Sequence, residues 1–333
     1  MKHKAVHLFV FSAVLALLVA LAAFVARPGL GQSQAKDQSP TQVKDQTPTG
    51  ASAETTLQPT AAVRERRSVA PTTTGAGADA TLFSAAASRN SSLMYNLDWA
   101  FGGKQQHGWY LYTPLISRMI ETDKDAATGD FANAVSRWQK TTGLQPDGVL
   151  DEDTLYQMVS TWQGVRLKDK TPAQPGQLLV APTSDFYDTS RPDELRQVEH
   201  ETYAAYKRMV AAACADPSLG LKHTASGELA PEEKFFKIVS AFRSREYQDH
   251  LRQQSPNSGR AGLAVNSPHT TGRALDLYVG GEPVETKDAN RAIQVQTNVY
   301  HWLVQNADKF GFRPYYYEPW HWEYVGTSAT AAK

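Results

Sequence analysis

The hydrophobic pattern divides the chain before any single residue matters. Residues 5–26, "AVHLFVFSAVLALLVALAAFVA", are almost unbroken apolar sequence, and about 20 such residues suffice for a helix across a hydrocarbon core. Residues 27–90 lose that character. Gln, Thr, Ser, Ala, Pro and Gly dominate there, a composition that buries too little apolar surface to offset the entropy of ordering, so a disordered linker is predicted. From 91 to 165 helical periodicity sets in. Leu115, Ile116, Met119 and Ile120 share one face; Phe131, Val135 and Trp138 recur at i, i+4 and i+7; Leu155, Met158, Val159 and Trp162 form a third stripe. Gly143 is placed to stop the second helix and Asp151 to cap the third. The spacing predicts a compact three-helix domain.

A shorter linker is expected over 166–178, where "RLKDKTPAQPG" interrupts the periodicity, leaving 179–326 for a second domain and 327–333 as a tail. That domain mixes periods. A helical pattern over 194–213 gives way to alternation in "KFFKIVSAF", with Phe236, Ile238 and Phe242 on one side. "ALDLYV" alternates too: Leu275, Leu277 and Val279 face one way, Asp276 the other. A helix carrying Val295, Val299, Trp302, Leu303 and Phe310 follows, closed by Gly311, and "YYYEPWHWEYV" ends the domain as an aromatic strand in which Pro319 forbids a helix. The order of elements reads as α+β.

Composition changes this picture little. Lys+Arg and Asp+Glu both number 34 and no basic block is long, so nothing points to a nucleic-acid partner. Cys214 is the single cysteine; it excludes an intramolecular disulfide and is expected as a buried structural thiol. Lys2 and Lys4 before the apolar segment favour an inside N-terminus and place the rest outside the cytoplasm. Phe24 fits a cleavage site poorly, so 1–26 is expected to stay as a membrane anchor rather than leave as a signal peptide.

The alternation bears on chemistry. If Leu275 and Leu277 point into the core, Asp276 faces the other way; if Trp320, Trp322 and Tyr324 point inward, His321 likewise faces away from the core. Two such strands side by side would bring Asp276 and His321 within about 5 Å at Cβ. His269 arrives on the turn just before, where Gly272 relieves crowding. Two imidazoles and one carboxylate suit a catalytic Zn²⁺, with a fourth position for water. Glu318, turned back by a kink at Pro319, is the candidate base, and Arg243 the candidate partner of developing negative charge.

"SPHTTGRALD" with "EPWHWEY" resembles the zinc D-alanyl-D-alanine carboxypeptidases and dipeptidases of the vancomycin-resistance carboxypeptidase type. Their pattern, Ser-x-His-x-x-Gly-x-Ala-x-Asp and later Glu-x-Trp-His, is met by Ser267, His269, Gly272, Ala274, Asp276, Glu318, Trp320 and His321. The upstream Arg-Ser-x-x-x-Gln element is present as Arg243 to Gln248 in "FRSREYQ", with Phe242 where the family has tyrosine. The resemblance implies a zinc D,D-peptidase fold, shared with hedgehog domains. It implies His269, Asp276 and His321 as zinc ligands, Glu318 as general base, Arg243 at the anion, and Ser267, Gln248 and Trp320 at the substrate. "FANAVSRWQKTTGLQPDGVLDEDTL" is similar to the peptidoglycan-binding module found beside cell-wall hydrolases. Together they imply a zinc-dependent D-alanyl-D-alanine carboxypeptidase acting outside the cytoplasm on peptidoglycan stem peptides, with the wall polymer and the membrane as further partners. An L,D-carboxypeptidase, an endopeptidase on the same site and a non-catalytic wall-binding protein are the alternatives.

Overall fold

The computed structural model describes residues 75–254 and 266–327. The apolar segment 5–26 and the predicted linker up to residue 74 lie outside them, and among the described residues no helix is long and apolar enough to cross a membrane.

Helix α1 (Gly75–Asn96) occupies sequence expected to be linker as far as residue 90. Alanine explains the difference. An Ala/Ser-rich stretch looks featureless to a count of large apolar residues, yet Ala is the strongest helix former. Ala86 and Ala87 are small enough to bury where α1 packs on α3 (Gly129–Thr141). Buried Asn90 fastens the helix: its Nδ2 donates to the Gly148 carbonyl (2.9 Å) and its Oδ1 accepts from Leu150 N–H (2.8 Å). An unanticipated hairpin follows, β1 (Asp98–Phe101) and β2 (Lys104–His107), turned by Gly102 and Gly103, both at positive φ.

The three predicted helices are present as α2 (Thr113–Met119), α3 and α4 (Glu152–Gly164). Their apolar faces are buried as the period requires, with Met119 and Trp138 only partly so. Asp151 caps α4 by accepting from Thr154 N–H (3.0 Å). Buried Gln139 gathers the loop between α3 and α4. Its Nε2 donates to Asp147, the Val149 carbonyl and Thr154 (3.0 Å each), and its Oε1 accepts from Gly148 N–H (2.8 Å). The Gln…Asp-Gly…Thr pattern is thus the internal clamp of this unit.

Beyond it, β3 (Leu178–Val180) pairs with β4 (Gln197–Glu199), and α5 (His200–Cys214) buries Tyr206, Met209 and the free Cys214. The central sheet is antiparallel, in the order β5 (Ile238–Ser240), β6 (Ala274–Leu277), β8 (Glu318–Tyr324), β7 (Phe312–Tyr315). α6 (Arg245–Gln254) follows β5, and α7 (Asp288–Val295) packs on β8. Three expectations change in detail. The strand over "KFFKIVSAF" is cut short because Phe236 sits at φ 66. The last aromatic strand is a hairpin, β7 and β8, turning at Tyr316 and Tyr317. The long helix is broken into α7 and α8 (Asn298–Asn306) at Thr297, whose hydroxyl accepts from Tyr300 N–H (3.1 Å) and donates to the Val279 carbonyl (2.9 Å).

The segment 166–178 is not a free connection. The Arg166 side chain and Leu167 N–H bind Glu323 on β8, and Ala173 N–H donates to the Thr270 carbonyl (2.9 Å). One apolar core runs through both halves, from Trp109, Ile116 and Leu155 to Leu275, Leu303 and Trp322. Across the junction Arg291, 1% exposed, donates to the Tyr112 hydroxyl (2.8 Å).

Candidate metal centre

β6 and β8 lie side by side with Asp276 directly opposite His321. Leu275 and Trp322 take the other face into the core. Asp276 Oδ1 lies 2.9 Å from His321 Nδ1 and 3.2 Å from His269 Nε2. His269 is delivered by a 3₁₀ turn, Pro268–Thr271. Ser267 caps that turn by accepting His269 N–H (3.3 Å), and Gly272 ends it at φ 69. A Cβ there would stand 2.7 Å from Leu178 Cδ2 and 3.0 Å from Glu199 N, so the turn needs glycine. The three donor atoms all lie within 4.8 Å of one another and are buried.

The remaining polar atoms fix which face each donor presents. His269 Nδ1 is 2.6 Å from the Ala241 carbonyl, which requires a proton on Nδ1 and turns the Nε2 lone pair to the centre. His321 Nε2 is 3.2 Å from Glu323 Oε1, which leaves Nδ1 for the centre. Asp276 divides its oxygens: Oδ1 faces both imidazoles, and Oδ2 accepts from Arg243 Nη2 (2.6 Å). Arg243 is held in turn by Ser240 Oγ (2.9 Å). Two nitrogens and one carboxylate oxygen, each oriented by a second partner, fit zinc in the number found at catalytic sites, where water or substrate takes the fourth place.

The field of the site suits those donors. Burial, reinforced by Arg243, pushes His269 down to about 4, so its ring is neutral. Burial would lower His321 too, but its bonds to Asp276 and Glu323 outweigh that and push it up to about 9. Burial would raise Asp276, yet the two histidines and Arg243 hold it well below the usual range. Glu318 goes the other way. Burial pushes it up to about 7, with His321 and Arg243 opposing and Asp276 assisting.

The predicted residues are placed as follows. His269, Asp276 and His321 converge. Glu318, 7% exposed, opens β8 within electrostatic reach of His321, Asp276 and Arg243. A shift in the β7–β8 register, between Pro314 and Tyr315, puts Tyr315 opposite it. Arg243 is bonded to Asp276, the nearest carboxylate, rather than standing apart to await an anion. Gln248 is buried on the first turns of α6. Trp320 was expected at the substrate; strand alternation sends it to the face opposite His321, and it is 3% exposed within the apolar core. Glu323 was missed, although it lies two residues past His321 and alternation puts it on the same face. Arg166 gave no signal, being 157 residues from its partner.

A buried His-Asp-His centre beside a carboxylate of raised pKa, set in a mixed α+β domain, is the arrangement of a metallopeptidase. Residues 195–327 match the family model VanY, D-alanyl-D-alanine carboxypeptidase, and residues 120–158 match the putative peptidoglycan-binding domain. The chain thus carries one segment similar to the VanY D-alanyl-D-alanine carboxypeptidase family and, ahead of it, one similar to the putative peptidoglycan-binding domain. No curated protein matches. Among solved structures, a mutant of the vancomycin-resistance D,D-pentapeptidase VanY from a VanB-type cassette, in complex with Zn(II), is 20% identical. Its TM-score is 0.30, over 51% of this chain and 92% of its own. VanYB in complex with D-alanine-D-alanine is 21% identical, with a TM-score of 0.27 over 40% of this chain and 75% of its own.

Proposed function

We propose that this protein is a zinc D,D-carboxypeptidase that removes the terminal D-alanine from peptidoglycan stem peptides. The observation that carries the reading is the convergence of His269, Asp276 and His321 within 4.8 Å, with each side chain oriented by a second partner. His269 Nε2, Asp276 Oδ1 and His321 Nδ1 would hold the ion. Zinc bound there supplies Lewis-acid activation of a water molecule and of the scissile carbonyl. The Glu318 carboxylate takes a proton from the attacking water and passes it to the departing amine, a role its buried place beside the three donors suits. Arg243 fixes Asp276 through Oδ2 and keeps positive charge beside the reacting carbonyl. Ser267 acts by capping the turn that carries His269, and Gln248, buried on α6, would help shape the pocket.

The peptidoglycan-binding-type domain supports the same polymer as partner, since holding the wall raises the local concentration of stem peptides. Residues 5–26 would keep the enzyme on the outer face of the cytoplasmic membrane. The test is incubation of the purified protein with defined tri-, tetra- and pentapeptide muropeptides, read by product mass. Loss of one alanine from the pentapeptide alone is expected. Cleavage of tetrapeptide or of cross-linked dimers would replace the reading with an L,D-carboxypeptidase or an endopeptidase.

A further inference from the structure

Glu323 sits between the metal centre and the helical half of the chain. Its side chain is fully buried, and Oε1 faces His321 Nε2 at 3.2 Å. The same oxygen accepts from Arg166 through Nε (3.1 Å) and Nη2, while Oε2 accepts from Leu167 N–H (2.9 Å). Arg166 comes just after α4 and keeps a second bond there, from Nη1 to Gln163 Oε1 (2.7 Å). Its guanidinium also lies 4.1 Å above the Tyr315 ring, whose edge-on neighbour is His321, with centroids 6.0 Å apart. Arg166 therefore touches two of the groups in contact with this imidazole, Glu323 and Tyr315. Seven residues further along, Ala173 N–H holds the turn that carries His269.

We infer that Arg166 is a positioning residue for the metal centre: the helical half, through Arg166 and Glu323, sets the orientation of His321. This rests on the reading of His269, Asp276 and His321 as zinc ligands. A carboxylate bonded to a ligating histidine fixes the ring only if the carboxylate is itself fixed. Two donors from one planar guanidinium do that where a single ammonium does not.

The test uses the full chain and zinc alone as probe, with affinity measured by competition against a chelator. Near-UV circular dichroism checks that each variant is folded. Arg166→Gln and Glu323→Gln are each expected to weaken zinc binding about 10- to 100-fold. The double variant should lose no more than the weaker-binding single, because both changes cut one connection. Arg166→Lys keeps the charge and loses a donor; it should fall several-fold short of wild type, and it serves if Arg166→Gln does not fold. Tyr112→Phe removes the bond to Arg291 across the same junction without touching a ligand, and should leave zinc affinity unchanged. Losses that multiply in the double variant, wild-type affinity in Arg166→Lys, or an equal loss in Tyr112→Phe would each overturn the inference. Wild-type protein that takes up no zinc would instead remove the centre on which it rests.

Discussion

Glu318 is a carboxylate in a place that disfavours its charge, and this gives it two measurable signatures. Its pKa in the folded chain, about 7, lies above the ordinary 4.5. Between those values the folded chain keeps a proton that the unfolded chain has released, so stability falls as pH rises through the window. The gap corresponds to about 3 kcal/mol. Chelator-treated Glu318→Gln should therefore be more stable than wild type at pH 8, by up to about 3 kcal/mol in urea titrations, with the difference vanishing toward pH 4.5. The same substitution should retain zinc while turnover of pentapeptide drops at least about 100-fold; full activity would remove Glu318 from the role of base. His321 makes a second prediction. Its protein partners push it up to about 9, and zinc must displace the proton on Nδ1. Apparent zinc affinity should rise about tenfold per pH unit from about pH 7 and level off near pH 9. A flat profile in chelator competition would contradict the donor assignment. At this scale the convergence of His269, Asp276 and His321 was legible because alternation in "ALDLYV" and "PWHWEY" ties Asp276 and His321 to a face, and the motif supplied the rest. What orients them was not: the Ala241 carbonyl is a backbone atom, and no local pattern links Arg166 to Glu323.

Among the elements, the weakest signals came from short or small-residue segments. α2, α3 and α4 show large apolar residues at helical spacing and were legible; α1 buries Ala86, Ala87 and Asn90, which no hydrophobic period can reveal. Asn90→Ala would leave Gly148 O and Leu150 N without their partner, and should cost about 2 kcal/mol or more, read from thermal or urea unfolding. A change below about 0.5 kcal/mol would mean that α1 is dispensable to the helical unit. Gly272→Ala is a harder case, since positive φ and contacts at 2.7 and 3.0 Å oppose it together. It should lower both stability and zinc affinity, because the backbone that must shift carries His269.

One apolar core joins the two halves of the described molecule, with a smaller cluster of its own beneath α1. The composition of 166–178 suggests a flexible joint, yet that segment binds β8 and the His269 turn, and apolar side chains from both halves meet beneath it. Charged, proline-rich sequence looks solvated until its partners are known, so the composition of this segment does not reveal those contacts. Calorimetry should show one cooperative transition spanning both halves, with equal calorimetric and van't Hoff enthalpies, and zinc should move it upward as a unit. Two separable transitions would restore the independent domains that the sequence suggests.

That shared core would constrain how the metal centre meets a wall polymer. A catalytic domain on a slack cord samples every stem peptide within reach of the cord. Here the buried Arg291–Tyr112 contact and the Arg166–Glu323 bridge forbid such wandering. A strand of polymer gripped by the helical half would meet the cutting site at a constant offset and angle. The protein would then work as a ruler, trimming only those peptides that project from the strand at the matching distance.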